Sequence, residues 1–115
     1  MKNDWKPVVR SFCKTLVKNG VELVGADDMG DFPDDSIIKT SNIDEIVEHV
    51  CAVDESYILV KTPSTDEGKH KVIYIVLGNG PEEIAADYTC DELIEKSCDE
   101  HYEKWENVRV PKIPY

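Results

Sequence analysis

The sequence has no long apolar run. No hydrophobic stretch approaches the ~20 residues that a membrane-spanning helix needs, so we expect no membrane insertion. The opening residues, MKNDWKPVVRSF, reach charged residues and a proline before any apolar core, and we therefore expect no secretory signal peptide. The two absences together predict a cytoplasmic protein.

Basic residues are scarce. The chain has 13 Lys and Arg against 24 Asp and Glu, a formal net charge of −11. Such a surface repels the phosphates of nucleic acids and anionic lipids, so we expect no direct nucleic-acid binding. It attracts cations and basic protein surfaces, although acidity that only maintains solubility is the alternative explanation.

Paired cysteine motifs are also missing. The four cysteines, at positions 13, 51, 90 and 98, form no Cys-x-x-Cys pair, and without a secretory signal we expect reduced thiols. Cys98 and His101 lie three apart on a predicted helix and could join Cys90 or His49 in a zinc site. No second close pair exists at ligand spacing, so we expect neither a metal site nor another cofactor, and we assign no catalytic residue. A small metal-dependent or thiol enzyme that uses Cys98 and His101 remains an alternative.

The segment ADDMGDFPDDS, which begins at residue 26, resembles a calcium loop only in composition. The Asp-x-Asp-x-Asp-Gly register and the glutamate at the twelfth position are missing. We therefore interpret it as an acidic loop. Its aspartates are Asp27, Asp28, Asp31, Asp34 and Asp35.

The apolar pattern predicts an α+β fold in one domain over residues 1–115, with 106–115 an extended tail. We expect a small, mainly antiparallel sheet with two or three helices packed on it. Helices are predicted over about 4–18, after a cap at Ser41 or Asn42, and over about 90–105 behind a Thr89 capping box. Strands are predicted at 21–25, 37–39, 57–61 and 71–78, the last being central and covered on both faces because it is apolar at nearly every position.

A glycine-rich turn follows the 71–78 strand in YIVLGNGPEEIAADYT. A phosphate loop is unfavourable there because Pro81 lacks an N–H donor and Glu82 and Glu83 would repel the anion. Asn79-Gly80 is instead a favoured pair for a type I′ hairpin turn. Residues 81–88 beyond it fit either a strand or a helix.

The same stretch is similar to a segment of small uncharacterised bacterial and phage proteins. In those proteins an apolar strand runs into Gly-Asn-x-Pro-x-Glu and then Asp-Tyr-Ser or Asp-Tyr-Thr. The matching positions here, about a tenth of the chain, are Gly78, Asn79, Pro81, Glu83, Asp87 and Tyr88. The resemblance implies a shared strand-turn-strand unit and a phage or mobile-element origin, and it implies no chemistry.

Acidic residues recur every four positions towards the C-terminus, at Asp87, Asp91, Glu95, Asp99 and Glu103. On a helix, residues at this spacing lie on one face, where like charges repel. A solvated helix face is the simple interpretation. The sharper hypothesis is a small acidic accessory protein that binds a basic partner protein through Asp91, Glu95, Asp99 and Glu103, with the acidic loop extending the surface. A structural or self-associating protein is a second alternative.

Overall fold

A computed structural model describes residues 2–30 and 36–114. The helices of this part of the chain are α1 (Lys6–Lys18), α2 (Ile43–Cys51) and α3 (Glu92–Trp105), and a 3₁₀ turn spans Pro81–Glu83. Its strands are β1 (Lys2–Asn3), β2 (Glu22–Asp27), β3 (Ile37–Lys39), β4 (Glu55–Lys61), β5 (Lys71–Val76), β6 (Ala85–Tyr88) and β7 (Lys112–Ile113).

Five strands form the main sheet in the order β3-β2-β4-β5-β6, and every neighbouring pair is antiparallel. The predicted α+β class is confirmed, and the strands predicted at 57–61 and 71–78 are present as the antiparallel neighbours β4 and β5. Residues 81–88 contain both a helical turn and a strand, since the 3₁₀ turn precedes β6. The C-terminal segment contacts the N-terminal one, because β7 pairs with β1 in a separate two-stranded sheet.

The helices pack on one face of the main sheet. Their apolar side chains form a single core with alternate residues of β2, β4 and β5. The core includes Val9, Phe12 and Leu16 of α1, Ile46 and Val50 of α2, Ile94 of α3, and Leu23, Ile58, Val60, Ile73 and Ile75 of the sheet.

The prediction that the 71–78 strand is covered on both faces is wrong. Val72, Tyr74 and Val76 are only half-buried and lie outside the core. The strand is nevertheless an inner strand, as predicted, because β5 pairs with β4 on one side and with β6 on the other. The apolar run in β5 arises because the face away from the helices is apolar as well.

The type I′ turn at Asn79-Gly80 is also not observed. That turn needs positive φ at both residues, whereas Gly80 has φ −64° and ψ 151°. The residue before a proline is driven to extended backbone, and here Pro81 follows. The reversal uses Gly78, at φ +120°, and the 3₁₀ turn.

Asparagine and aspartate side chains cap the second and third helices. Asn42 accepts a hydrogen bond from the backbone N–H of Glu45, which confirms one of the two predicted caps of α2. The predicted cap of the last helix was wrong, because Thr89 accepts a hydrogen bond from the backbone N–H of Val72 and Asp91 caps α3. The acid outcompetes the threonine because its carboxylate accepts bonds from two free N–H groups, those of Leu93 and Ile94.

The capping carboxylate also binds the β4–β5 hairpin. Its Oδ2 accepts hydrogen bonds from Lys71 Nζ at 2.7 Å, Thr62 Oγ1 at 2.6 Å and Ser64 Oγ at 2.8 Å. The Asp91 side chain is only 5% exposed and that of Lys71 13%. Burial alone would raise the pKa of Asp91, but the bonds from Lys71, Thr62, Ser64 and the Ile94 N–H outweigh it and lower that pKa. We call this arrangement the Asp91 clamp.

We expect Asp91→Ala to lower the free energy of unfolding at pH 7 by about 2–4 kcal/mol, since it removes a cap and leaves a mostly buried lysine unpaired. Asp91→Asn keeps a capping oxygen and should lose less. Chemical denaturation measures both. A loss for Asp91→Ala no larger than that for an exposed acid such as Glu67 would contradict the clamp.

The clamp also predicts a pH dependence. Because the pKa of Asp91 is lower in the folded chain than in the unfolded one, its contribution is complete above about pH 4 and is lost as the pH falls towards the folded pKa. Wild type should therefore lose more stability than Asp91→Asn between about pH 4 and pH 2. Parallel curves for the two proteins would contradict this assignment.

Candidate acidic interface on the last helix

Three acids project from successive turns of α3. Glu95, Asp99 and Glu103 are exposed and lie about 6 Å apart along the helix axis. None of their carboxylates forms an ion pair within residues 2–30 and 36–114. We call these three residues the acidic ridge.

A neighbouring acid on the same helix behaves differently. Glu100 lies 2.8 Å from Lys18 Nζ, and this hydrogen bond lowers the pKa of its carboxyl group. Lys18 of α1 therefore neutralises an acid on the side of α3 that faces α1, whereas the acidic ridge lies on the side that faces solvent.

The opposite side of α3 is anchored in the protein. Ile94, Ser97 and His101 are buried, and the His101 ring meets the edge of Phe12 with centroids 5.1 Å apart. At the end of the helix, Trp105 Nε1 donates to Ser11 Oγ at 3.1 Å. This anchoring prevents rotation of the helix and fixes the direction in which the ridge points.

The 3₁₀ turn brings two further acids to the ridge. Glu82 and Glu83 line the same groove as Asp99, which has a volume of about 400 Å³. The groove is completed by Asn79, Ala85, Ala86, Cys98, His101 and Tyr102. These two glutamates were missing from the predicted surface, although their adjacency in the sequence after Pro81 was visible. Their approach to α3 depends on the fold of the turn.

His101 connects this turn to α3. Its Nε2 lies 2.9 Å from the carbonyl oxygen of Pro81, which can only accept, so the Nε2–H tautomer is present. Burial is the main cause that lowers the pKa of His101, which favours the neutral ring. The bond holds the turn, and with it Glu82 and Glu83, beside the helix.

The ridge also affects groups that lie behind it. Burial raises the pKa of Cys98 to about 12, and the charges of Asp99 and Glu95 add to the shift. The pKa of Tyr88 is raised as well, first by burial and then by its interactions with Cys98, Glu95 and Asp99, in that order. Burial would raise both pKa values without any nearby charge, so only the smaller contribution of Glu95 and Asp99 reflects a negative potential, which disfavours further anions and favours cations.

Asp91 does not belong to the ridge in the folded chain. Its carboxylate accepts the hydrogen bonds of the Asp91 clamp and is nearly inaccessible to solvent, so it cannot contact a partner protein. The regular four-residue spacing in the sequence therefore joins residues with different roles, a buried cap followed by three exposed acids.

The predicted acidic loop contributes only in part to the described structure. Asp27 lies in β2, and Asp28 lies 3.7 Å from His49 of α2. Their Oδ1 atoms accept hydrogen bonds from Met29 N and Gly30 N. Both α2 and α3 pack on α1, but their other main contacts differ, since α2 packs on β2 and β4 and α3 packs on the 3₁₀ turn; these aspartates and the ridge therefore belong to different parts of the described fold. Asp31, Asp34 and Asp35 lie outside the described residues.

The cysteines and histidines of the described chain are dispersed. All four cysteines are unpaired. No group of three or more His, Cys, Asp or Glu side chains in residues 2–30 and 36–114 has the arrangement to hold a metal ion. The Cys98–His101 pair of the predicted helix therefore has no third ligand in this part of the protein.

Comparisons with known proteins give no match to this chain. Neither protein-family models, nor curated proteins, nor solved structures match it.

Proposed function

We propose that this protein is a small acidic accessory protein that binds a basic surface of another protein through the acidic ridge and the groove beside it. The observation that supports the proposal is the exposure of Glu95, Asp99 and Glu103 on one rigid helix face without an ion-pair partner in the described chain. Glu82 and Glu83 add charge to the same side.

The ridge is unfavourable for the folded chain by itself. Like charges four residues apart on a helix cost about 0.2–0.5 kcal/mol per pair, and the ridge has two such pairs. The helix dipole favours acids in the first turn, where Glu95 lies, but disfavours Glu103 in the last turns. A partner that neutralises the ridge would remove both penalties.

A protein partner fits the site better than a lipid or a nucleic acid. Phosphates would be repelled by the ridge, whereas lysine and arginine side chains would pair with it. The groove also offers Ala85, Ala86 and Tyr102 as apolar contacts for the methylene groups of such side chains. No helix in the described ranges has the length and apolar character needed to cross a membrane.

The thiol-enzyme alternative has less support from the geometry. A nucleophilic cysteine acts as the thiolate, and a pKa of about 12 keeps Cys98 protonated at neutral pH. With Nε2 bonded to the Pro81 carbonyl, the nitrogen left to act as a base is Nδ1, and this buried atom has no hydrogen bond to the Cys98 thiol or to any other group within the described residues.

The proposal predicts which substitutions abolish partner binding. Affinity capture from a lysate of the source cell should retain a basic protein on the wild type, and rising salt should release it. Glu95→Gln, Asp99→Asn and Glu103→Gln in one chain should abolish retention.

A control triple variant separates the ridge from total charge. Asp54→Asn, Asp66→Asn and Glu67→Gln change three exposed acids elsewhere on the surface and raise the net charge by the same amount. This variant should retain the partner. Equal retention by the wild type and the ridge variant, or equal loss from both variants, would show that the ridge is only a solvated face.

The ridge variant should also be more stable than wild type. Relief of two repulsive pairs predicts a rise of up to about 1 kcal/mol in the free energy of unfolding at low salt, with little difference at 1 M salt. Urea denaturation at the two salt concentrations measures it. A ridge variant that is less stable than wild type would mean that these acids stabilise the fold, against the proposal.

Thiol reactivity tests the enzymatic alternative. At pH 8, an alkylating reagent should modify the exposed Cys90 first, while half-buried Cys98 and fully buried Cys13 react slowly until the protein unfolds. Mass spectrometry of wild type and of Cys90→Ser locates the adducts. Modification of Cys98 as fast as that of Cys90 would support an activated thiol.

A further inference from the structure

The main sheet has a second face on which no described helix packs. We call it the open sheet face. Leu59 is only 8% exposed there, yet it lies outside the core shared by the helices. The apolar side chains of this face are Val24, Ile37, Tyr57, Leu59, Val72, Tyr74 and Val76.

The centre of the open sheet face has a pair of tyrosine rings beside a depression. Tyr57 and Tyr74 are register partners on β4 and β5, and their ring centroids lie 5.3 Å apart. One step along the strands, Leu59 and Val72 line a depression of about 650 Å³. Tyr57 also lines the depression, so the tyrosine pair borders it from the adjacent row of the same two strands.

Charge is divided between the two ends of the face. At the end where β4 begins, Glu55 accepts a hydrogen bond from Tyr74 Oη at 2.7 Å. At the end where β4 finishes, Lys61 and Lys69 frame the depression together with Lys39 of β3. Glu22, the register partner of Lys61, is an acid within this basic half, where three lysines outnumber it.

This layout is self-complementary about one type of two-fold axis. An axis lying between two facing copies and perpendicular to their strands places β4 against β4 and reverses its direction. Glu55 of one copy then faces Lys61 of the other, and Tyr57 faces Leu59. An axis parallel to the strands would instead bring lysines against lysines, so the charges select the first arrangement.

We infer that the open sheet face binds a second copy of this chain, forming a face-to-face dimer in which the tyrosine pair of each copy enters the Leu59 depression of the other. Sheets pack in this way about 10 Å apart through interdigitating side chains. The lateral order of strands is preserved, so β4, the middle strand of five, lies over its own copy and the overlap is complete. The ridge on α3 lies outside this interface, so the dimer does not depend on the proposed function.

Tyrosines flanked by lysines can also stack the bases of single-stranded nucleic acid. Asp27 and Asp87 are the register partners of Tyr57 and Tyr74, and Glu55 lies one row away on the same face. These acids and the net charge of −11 would repel a nucleic acid. A second copy therefore fits the face better than a polyanion does.

The test is charge reversal followed by mixing, with sedimentation velocity of the full chain as the measurement. Glu55→Lys places lysines against Lys61 in both halves of the dimer, and Lys61→Glu places acids against Glu55. Each variant alone should dissociate at least tenfold more readily than wild type. The equimolar mixture should associate again, because only the heterodimer pairs opposite charges. The ridge variant Glu95→Gln, Asp99→Asn, Glu103→Gln should dimerise as wild type does.

Circular dichroism shows whether each variant is folded, and recovery in the mixture would itself require folded chains. A wild type that stays monomeric at the highest soluble concentration would overturn the inference. So would a dimer that neither charge reversal weakens, or variants that fail to recover on mixing. A monomer that binds a short single-stranded oligonucleotide, with loss of binding in Tyr57→Ala, would overturn it in favour of a nucleic acid.

Discussion

The position of α3 depends on one buried carboxylate. Asp91 caps the helix with Oδ1 and holds the β4–β5 hairpin with Oδ2, so a single side chain fixes the start of α3 relative to the sheet. The ring contact between His101 and Phe12 and the bond from Trp105 to Ser11 fix the rest of the helix on α1. Because the helix cannot turn, Glu95, Asp99 and Glu103 are held towards solvent, where they repel one another and form no ion pair within the described residues.

Packing of the helices on a single face has a second consequence. It leaves the protein with two surfaces of different chemistry, an acidic one on α3 and an apolar one, charged at its ends, on the far side of the sheet. The first suits a basic partner, and the second suits a copy of itself. A dimer through the sheet would present two ridges, and paired weak contacts to a repetitive basic surface would then strengthen each other.

Local patterns predicted most of the fold. The helical spacing of Val9, Phe12 and Leu16 and the β-branched runs at 57–61 and 71–78 were sufficient, because burial of one face produces those periods. The errors arose where the outcome depends on contacts between residues that are distant in the sequence. Thr89 had the capping-box spacing, but Asp91 bound more donors, and an apolar β5 suggested two covered faces where one stays open.

The candidate site was predicted in its helical part only, since Glu82 and Glu83 reach Asp99 through a turn that no short pattern encodes. Zero-length carbodiimide cross-linking of the captured complex identifies the acids that contact the partner, because it joins carboxylates to the lysines beside them. If the acidic ridge is the interface, cross-links will form from Glu95, Asp99 or Glu103, and also from Glu82 or Glu83 beside them. Cross-links confined to acids on the other side of the protein, such as Asp44 or Glu45, would contradict it.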